Sequence, residues 1–266
     1  MIVQPRLAST VLLVRDIVAE PVGLEVFMVR RVVQSEFMPD VYVFPGGSVS
    51  ADDLLAEQVE ELCAPVSSFV ADPEGRTSLG TGVRVAAIRE AFEEANVLLA
   101  YQADQQFLAI DNDAVARFAA YRQAFNERNG SIVELAKREH LLLATDSLIY
   151  FSHWITPEGA PKRYDTHFFL SSMPPEQEAL YDQLETSAGT WIQPGHALER
   201  FAAGGFPLAF PTYHQLRDLA RCHSVQEALV IERYVPTHLP LLKLIDDVQH
   251  VYLPEDTTDT WKLRGI

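Results

Sequence analysis

The sequence predicts an α/β protein, a mixed β-sheet with helices packed around it. Two observations carry this. Alternating or continuous apolar runs of strand length occur at 8–15, 24–31, 42–44, 148–154, 164–171 and 191–193. Segments of helical periodicity fall between and after them, at 85–99, 113–126, 131–140, 194–203, 212–222 and 224–232. The 266 residues are 48% hydrophobic, enough for a sizeable core, and show no internal repeat, low-complexity linker or composition shift. One domain over 1–266 is the expected organisation, with helical additions at about 113–140 and 212–232.

The punctuation between these segments supports each one. Pro21-Val22-Gly23 separates the first two strands, and the third ends on Phe44-Pro45-Gly46-Gly47. Adjacent glycines permit positive φ and let the backbone approach a ligand closely. Asp72-Pro73-Glu74-Gly75 marks a loop before the first long helix, where Val85, Ile88, Phe92, Ala95 and Leu99 share one face. Asn129-Gly130 joins the next two helices, and Pro157-Glu158-Gly159 turns between strands 148–154 and 164–171. Pro194-Gly195 opens the helix that follows strand 191–193, and 251–253 returns as a strand near the end.

Chemistry concentrates in Arg89-Glu90-Ala91-Phe92-Glu93-Glu94. The glutamates stand at i, i+3 and i+4, so a helix brings three carboxylates to one face, opposite the apolar stripe. Like charges at this spacing destabilise a helix unless something neutralises them, and all-oxygen anionic clusters are what Mg²⁺ or Mn²⁺ prefers. A solvated Glu-rich face is the competing reading; there an Arg89/Glu93 pair at i, i+4 would contribute only ~0.3–0.5 kcal/mol. Pro-Gly-Gly also marks ordinary turns, so on these residues alone both readings stay open.

Together the two segments resemble the signature of the Nudix hydrolases, whose pattern is Gly, five residues, Glu, seven residues, then Arg-Glu-U-x-Glu-Glu-x-Gly-U, with U aliphatic. Gly47 opens it, Asp53 stands at the first acidic position, and Arg89, Glu90, Glu93, Glu94 and Val97 close it. The sequence departs in three places. A segment of about 54–81 separates the halves; counting back from Arg89 puts Thr81 where counting forward from Gly47 puts Asp53; and Asn96 replaces the closing glycine, a mild change because Asn tolerates a left-handed helix cap. Asp53 is the favoured register, and 54–81 is expected to be a peripheral excursion. The resemblance implies an α/β/α sandwich with a mixed sheet, an insertion in the Nudix box and additional helices.

The likeness continues through Phe37-Met38-Pro39-Asp40, Trp154-Ile155-Thr156-Pro157, Arg163-Tyr164-Asp165-Thr166-His167-Phe168-Phe169-Leu170, Trp191-Ile192-Gln193-Pro194 and Phe210-Pro211-Thr212. This set resembles the coenzyme A diphosphatases of the mammalian peroxisomal type. The branch implies cleavage of the pyrophosphate of CoA or acyl-CoA, giving 3′,5′-ADP and a 4′-phosphopantetheine. ADP-ribose, NADH or another dinucleotide is the alternative substrate, and a non-catalytic Nudix-fold ligand-binding protein the alternative class.

The resemblance also assigns roles. Glu90, Glu93 and Glu94 would ligate Mg²⁺ or Mn²⁺, with a carbonyl of Gly46 or Gly47, and Arg89 would hold Asp53 or Glu93 in place. Arg30 and Arg31, at the end of a strand before the glycine loop, and the pair Lys162 and Arg163 are candidate phosphate contacts. Asp165 and Glu185 are candidates for a further ligand or a general base. His153 and His167 fit half-buried strand positions, and Trp154, Tyr164 and Trp191 fit core packing better than adenine stacking.

The formal charge of −16 argues against nucleic acid or an anionic membrane as partner, so phosphate recognition must be local. Cys63 and Cys222 are far apart with no paired spacing, as expected of free thiols in a reducing compartment. The N-terminus lacks a signal-peptide layout, no apolar run reaches membrane-spanning length, and Arg264-Gly265-Ile266 differs from a Ser-Lys-Leu ending. A cytoplasmic protein binding a small nucleotide is expected; its oligomeric state, a homodimer included, is left open.

Overall fold

The computed structural model describes residues 2–18, 22–35, 37–59, 61–66, 79–231 and 234–262. Pro21, the 72–75 loop signal and the 264–266 ending lie outside them.

In chain order the elements are β1 (Arg6–Ile17), β2 (Gly23–Arg31), β3 (Tyr42–Val43), β4 (Gly46–Ser48), α1 (Ala51–Ala56) and α2 (Thr81–Ala95). Then come β5 (Ala100–Tyr101), α3 (Asn112–Asn126), α4 (Ile132–Arg138), β6 (Leu142–Leu143), β7 (Ile149–Ile155), β8 (Tyr164–Ser172) and β9 (Thr186–Ile192). The chain continues through α5 (Pro194–Ala202), α6 (Phe210–Leu219), α7 (Val225–Val230), β10 (Thr237–His238), β11 (Leu241–Ile245), β12 (Val248–Leu253) and β13 (Asp256–Lys262).

The central mixed sheet runs β10-β7-β8-β1-β2-β3, with β4 also paired to β1 and β9 to β2. Strand β1 is the axis. It is parallel to β8 along one edge; its other edge pairs with β4 at Ala8–Thr10 and with β2 at Val14–Ile17, both antiparallel. Val11 bridges the changeover by donating its N–H to Pro45 O (2.9 Å).

Both faces of β1 are covered, which is why Val11-Leu12-Leu13-Val14 is a continuous apolar run. Val11 and Leu13 join a core with Val85, Ile88 and Phe92 of α2, while Leu12 and Val14 join a second with Leu216 and Leu219 of α6. Phe92 meets Phe118 and Phe125 of α3 edge-to-face, so the additional helices extend the first core. The second core includes Val251 and Leu253 from the antiparallel sheet β11-β12-β13, of which only 251–253 is legible in the sequence. Leu99, expected on the helix face, lies beyond the end of α2 but is still buried.

The 54–81 segment is not a peripheral excursion in its described parts, and that expectation is corrected. Ala56 and Leu62 are buried in the first core. Ala64 donates to Leu143 O (2.9 Å), and Glu57 accepts the N–H groups of Thr81 (3.1 Å) and Gly82 (3.4 Å), capping α2. A carboxylate at a helix N-terminus satisfies orphan donors and complements the dipole. No helix among the described residues is long and apolar enough to cross a membrane.

Candidate active site

Helix α2 carries the acidic residues, but its acidic face is not a solvated one. Glu90 and Glu94 are buried and Glu93 is half-buried, because β4 closes over the helix on one side and α3 on another. The apolar stripe opposite is therefore only half of what anchors α2. Asn96 ends the helix in the left-handed region (φ 59°), and its N–H returns to carbonyls of the last turn. Arg122 donates to Glu93 O (2.9 Å) and Leu180 O (2.7 Å), and Leu180 donates to Ala95 O (2.9 Å), tying that end to the loop before β9.

Arg89 organises the cluster. Its Nε and Nη2 donate to the two oxygens of Asp53 at 2.9 Å each, Nη1 donates to Glu90 (2.8 Å) and Glu93 (2.9 Å), and Nη2 also reaches Ser48 O (2.9 Å). Asp53 is fully buried and doubles as the third residue of a capping box. Its N–H donates to Ser50 Oγ, while its carboxylate accepts the Ser50 N–H (2.7 Å). The long segment between the motif halves is thus closed by one bidentate ion pair.

Gly46 and Gly47 sit directly on the glutamates. The Gly46 N–H donates to Glu94 Oε2 (3.0 Å), and a Cβ on Gly47 would lie 2.4 Å from Glu90 Oε1. A Cβ on Gly46 would lie 2.7 Å from Ser9 O and 2.8 Å from Thr10 Cα, so close approach to the β1 backbone requires glycine at 46, while a side chain at 47 would displace the Glu90 carboxylate. Over the cluster a small cleft is lined by Glu90, Glu93, Glu94, Arg128, Asp182 and Glu185. Asp182 accepts from the N–H groups of Leu184, Glu185 and Thr186 and from Thr186 Oγ1 (2.7 Å), fixing the turn that presents Glu185. Arg122, Arg128 and Asp182 are absent from the sequence reading; they lie in a helix, a helix-end turn and a loop with no motif, so only the fold could bring them here.

The electrostatics are those of crowded, buried anions. Burial, reinforced by Glu93 and Asp53 against the opposing pull of Arg89, pushes the Glu90 carboxyl up to about 7. Burial also raises Glu93 despite Arg89, and burial with neighbouring Glu90 holds Glu94 well above the carboxylate range. For Arg89 burial opposes the charge, but Glu90, Asp53 and Glu93 together raise its pKa. Three carboxylates that resist ionising together, closed over by a glycine that leaves no room for a Cβ, are a donor set suited to a hard divalent cation.

A pH dependence follows. Glu90 holds its proton more tightly folded (about 7) than at its ordinary value of 4.5, so the folded state binds more protons between those pH values. Stability of the metal-free protein should therefore be greatest below that window and fall as pH rises through it. Melting in chelator from pH 5 to 7.5 should show the decline, and saturating Mg²⁺ should flatten it; a metal-free Tm that rises over this range would contradict the assignment.

The remaining candidates separate. Arg31 is near enough to Glu94 to lower its pKa, while its guanidinium donates to Ser35 Oγ and Phe37 O. Arg30 pairs with Asp40 (2.8 Å). Lys162 is exposed on the turn that precedes β8. Arg163 is buried and donates to Val3 O (2.8 Å) and Thr156 O (2.9 Å), tying the N-terminal segment to a turn. Trp154 is buried in the second core, Trp191 lies against Phe27 under Arg15, and Tyr164 meets Phe37. Burial pushes the Cys63 thiol up to about 11, which removes it as a nucleophile.

Comparison with known proteins identifies the family and the fold. The family described as the NUDT19 Nudix domain matches residues 5–221. The chain is 29% identical over 249 residues to the acyl-coenzyme A diphosphatase NUDT19 of Gallus gallus, covering 78% of this chain and 64% of that protein. It is 27% identical over 216 residues to the putative nudix hydrolase 7 of Caenorhabditis elegans, covering 81% and 61%. The chain thus spans less than two thirds of the length of these relatives. A crystal structure of a NUDIX hydrolase from Alicyclobacillus acidocaldarius superposes with a TM-score of 0.68 at 25% identity, covering 86% of this chain and 96% of that one. The mixed sheet between helices is the Nudix fold.

Proposed function

Because the chain belongs to the NUDT19 Nudix domain family, we propose that it is a pyrophosphohydrolase acting on CoA or acyl-CoA. The observation that carries this is the Arg89-pinned glutamate cluster opening into a cleft. The relatives named acyl-coenzyme A diphosphatase support the substrate class. Glu90, Glu93 and Glu94 would hold Mg²⁺ or Mn²⁺. When bound, the cation supplies charge neutralisation at the pyrophosphate oxygens and a lower pKa for the attacking water.

The chain's own residues do the positioning. Arg89 fixes the Glu90 and Glu93 carboxylates relative to one another and is itself locked by Asp53. Of the two cleft carboxylates that α2 does not supply, Asp182 is engaged by the N–H groups of its own turn, and Glu185, presented by that turn, accepts the proton of the attacking water in this reading. Arg128, which lines the cleft, and Arg31, which lies close enough to Glu94 to lower its pKa, are the cations that would meet an entering phosphate in this reading. An acidic, cytoplasmic protein without a nucleic-acid partner fits the same reading.

The test is a product analysis with CoA, dephospho-CoA and ADP-ribose in Mg²⁺ and Mn²⁺. CoA should be cleaved to 3′,5′-ADP and 4′-phosphopantetheine in preference to the other two. Loss of one charge-assisted phosphate contact costs ~1.5–3 kcal/mol, so Arg128→Ala and Arg31→Ala should each lower kcat/KM roughly tenfold to a hundredfold. Arg163→Ala should leave KM unchanged. A parent that treats CoA and dephospho-CoA alike, or prefers ADP-ribose, removes the CoA assignment and leaves the Nudix chemistry standing.

A further inference from the structure

We propose that His153, Asp165 and His167 form a second metal site, separate from the glutamates and suited to a late first-row divalent cation of the zinc class. The sheet builds it. His153 on β7 stands opposite His167 on β8 in the antiparallel register, and Asp165, two residues before His167, lies on the same face. Their ligand atoms all fall within 4.8 Å of one another. Asp165 Oδ1 is the common point, 2.5 Å from His153 Nε2 and 3.8 Å from His167 Nε2.

The outer partners match what metal-ligating imidazoles need. His167 Nδ1 is 2.8 Å from the Tyr150 hydroxyl, and His153 Nδ1 is 2.9 Å from Thr237 Oγ1 on β10. Without an ion, His153 Nε2 donates to the Asp165 carboxylate; a cation taking the place of that proton would leave Nδ1–H donated to Thr237 Oγ1 or Tyr150 Oη and Nε2 free to ligate, the tautomer in which imidazoles bind metal. The two rings are stacked, with centroids 4.2 Å apart and planes at 13°. Closing on one ion therefore requires Asp165 to release its bond to His153 and the rings to tilt. All three side chains keep some exposure, at 15%, 31% and 11%, so an ion and a solvent ligand can reach them.

Donor chemistry separates this site from the other one. Two imidazoles and one carboxylate favour zinc, copper or nickel, while an all-carboxylate cluster favours magnesium or manganese. Position links them: Gly47, Ser9, His167 and His153 are register partners in one row across β4, β1, β8 and β7. Two strand spacings, ~10 Å, thus separate Gly47 from His167.

The experiment is zinc binding by the full chain in excess Mg²⁺, which keeps the glutamate cluster loaded. Equilibrium dialysis should show one tightly held Zn²⁺ per chain, and Co²⁺ in its place should give the visible absorption of a four- or five-coordinate nitrogen and oxygen site. The Glu93→Gln/Glu94→Gln double variant should keep that stoichiometry. His153→Ala and His167→Ala should weaken binding by at least about a hundredfold, and Thr237→Val, a milder change, by about tenfold. A parent that takes up no zinc under these conditions overturns the proposal without recourse to any variant. So does zinc lost in the glutamate variant but retained in the histidine variants.

Discussion

Glu93→Gln and Glu94→Gln should each cut pyrophosphate hydrolysis by ~10²–10⁴ while leaving the fold intact. A cation at such a site supplies several kcal/mol of charge stabilisation in the transition state, and each 1.36 kcal/mol is about tenfold in rate. Glutamine preserves volume and an acceptor oxygen, so at position 94 the bond from the Gly46 N–H can survive. Removing one charge also relieves repulsion in the metal-free protein, where burial and the neighbouring glutamates already raise all three carboxylates. The metal-free Tm of Glu94→Gln should therefore hold or rise. Glu93→Gln gives up one charge-assisted bond to Arg89, and its Tm should move little because Asp53 and Glu90 still engage that guanidinium. In both variants the rise in Tm on adding Mn²⁺ should shrink, since ligand stabilisation scales with affinity for the folded state. Full turnover in either variant, or in the parent with excess chelator, would sink the metal assignment.

What the sequence disclosed depended on whether a feature was written locally. The apolar run of β1, the period of α2 and the Asn96 cap are local and each appears in the structure, although α2 runs Thr81–Ala95 and stops at the Asn96 cap short of Leu99. The β11–β12 hairpin escaped because its turn is Asp246-Asp247. Both residues have positive φ (48° and 59°), a conformation usually signalled by Asn-Gly or Asp-Gly. Short α1 escaped because six residues carry little periodicity, and its cap at Ser50 reads as part of a loop. At the site the same division holds. The three glutamates share a helix face and were visible together; Arg122, Arg128 and Asp182 reach the cluster only through the docking of α3 and the loop before β9. The two backbone carbonyls that Arg163 meets, Val3 O and Thr156 O, are likewise set by the fold and not by any local motif.

Asp53→Asn should be the most destabilising substitution in the motif and should far exceed Thr81→Ala. The two positions are the alternative registers for the first acidic residue, so their comparison tests the register directly. Asp53 is fully buried and gives both oxygens to Arg89, and one of them also accepts the Ser50 N–H. An asparagine keeps one acceptor but turns an NH₂ toward a donor, leaving part of a buried guanidinium uncompensated. Breaking a buried pair in this way costs ~3–5 kcal/mol. For a chain of this size that corresponds to a fall in Tm of roughly 6–20 °C. Thr81 enters the structure through its backbone, donating to Glu57, and its side chain holds no hydrogen bond among the described residues. Thr81→Ala should stay within about 0.5 kcal/mol of the parent. Activity should follow the same order for a different reason: with Asp53 neutral, Arg89 is drawn toward Glu90 and Glu93 and competes with the cation for their oxygens. Asp53→Asn should accordingly need more Mg²⁺ for half-maximal rate, an effect that simple loss of folded protein cannot produce. If Thr81→Ala proves the more damaging, or Asp53→Asn leaves the Mg²⁺ requirement unmoved, the Asp53–Arg89 pair is not what holds the cluster in order.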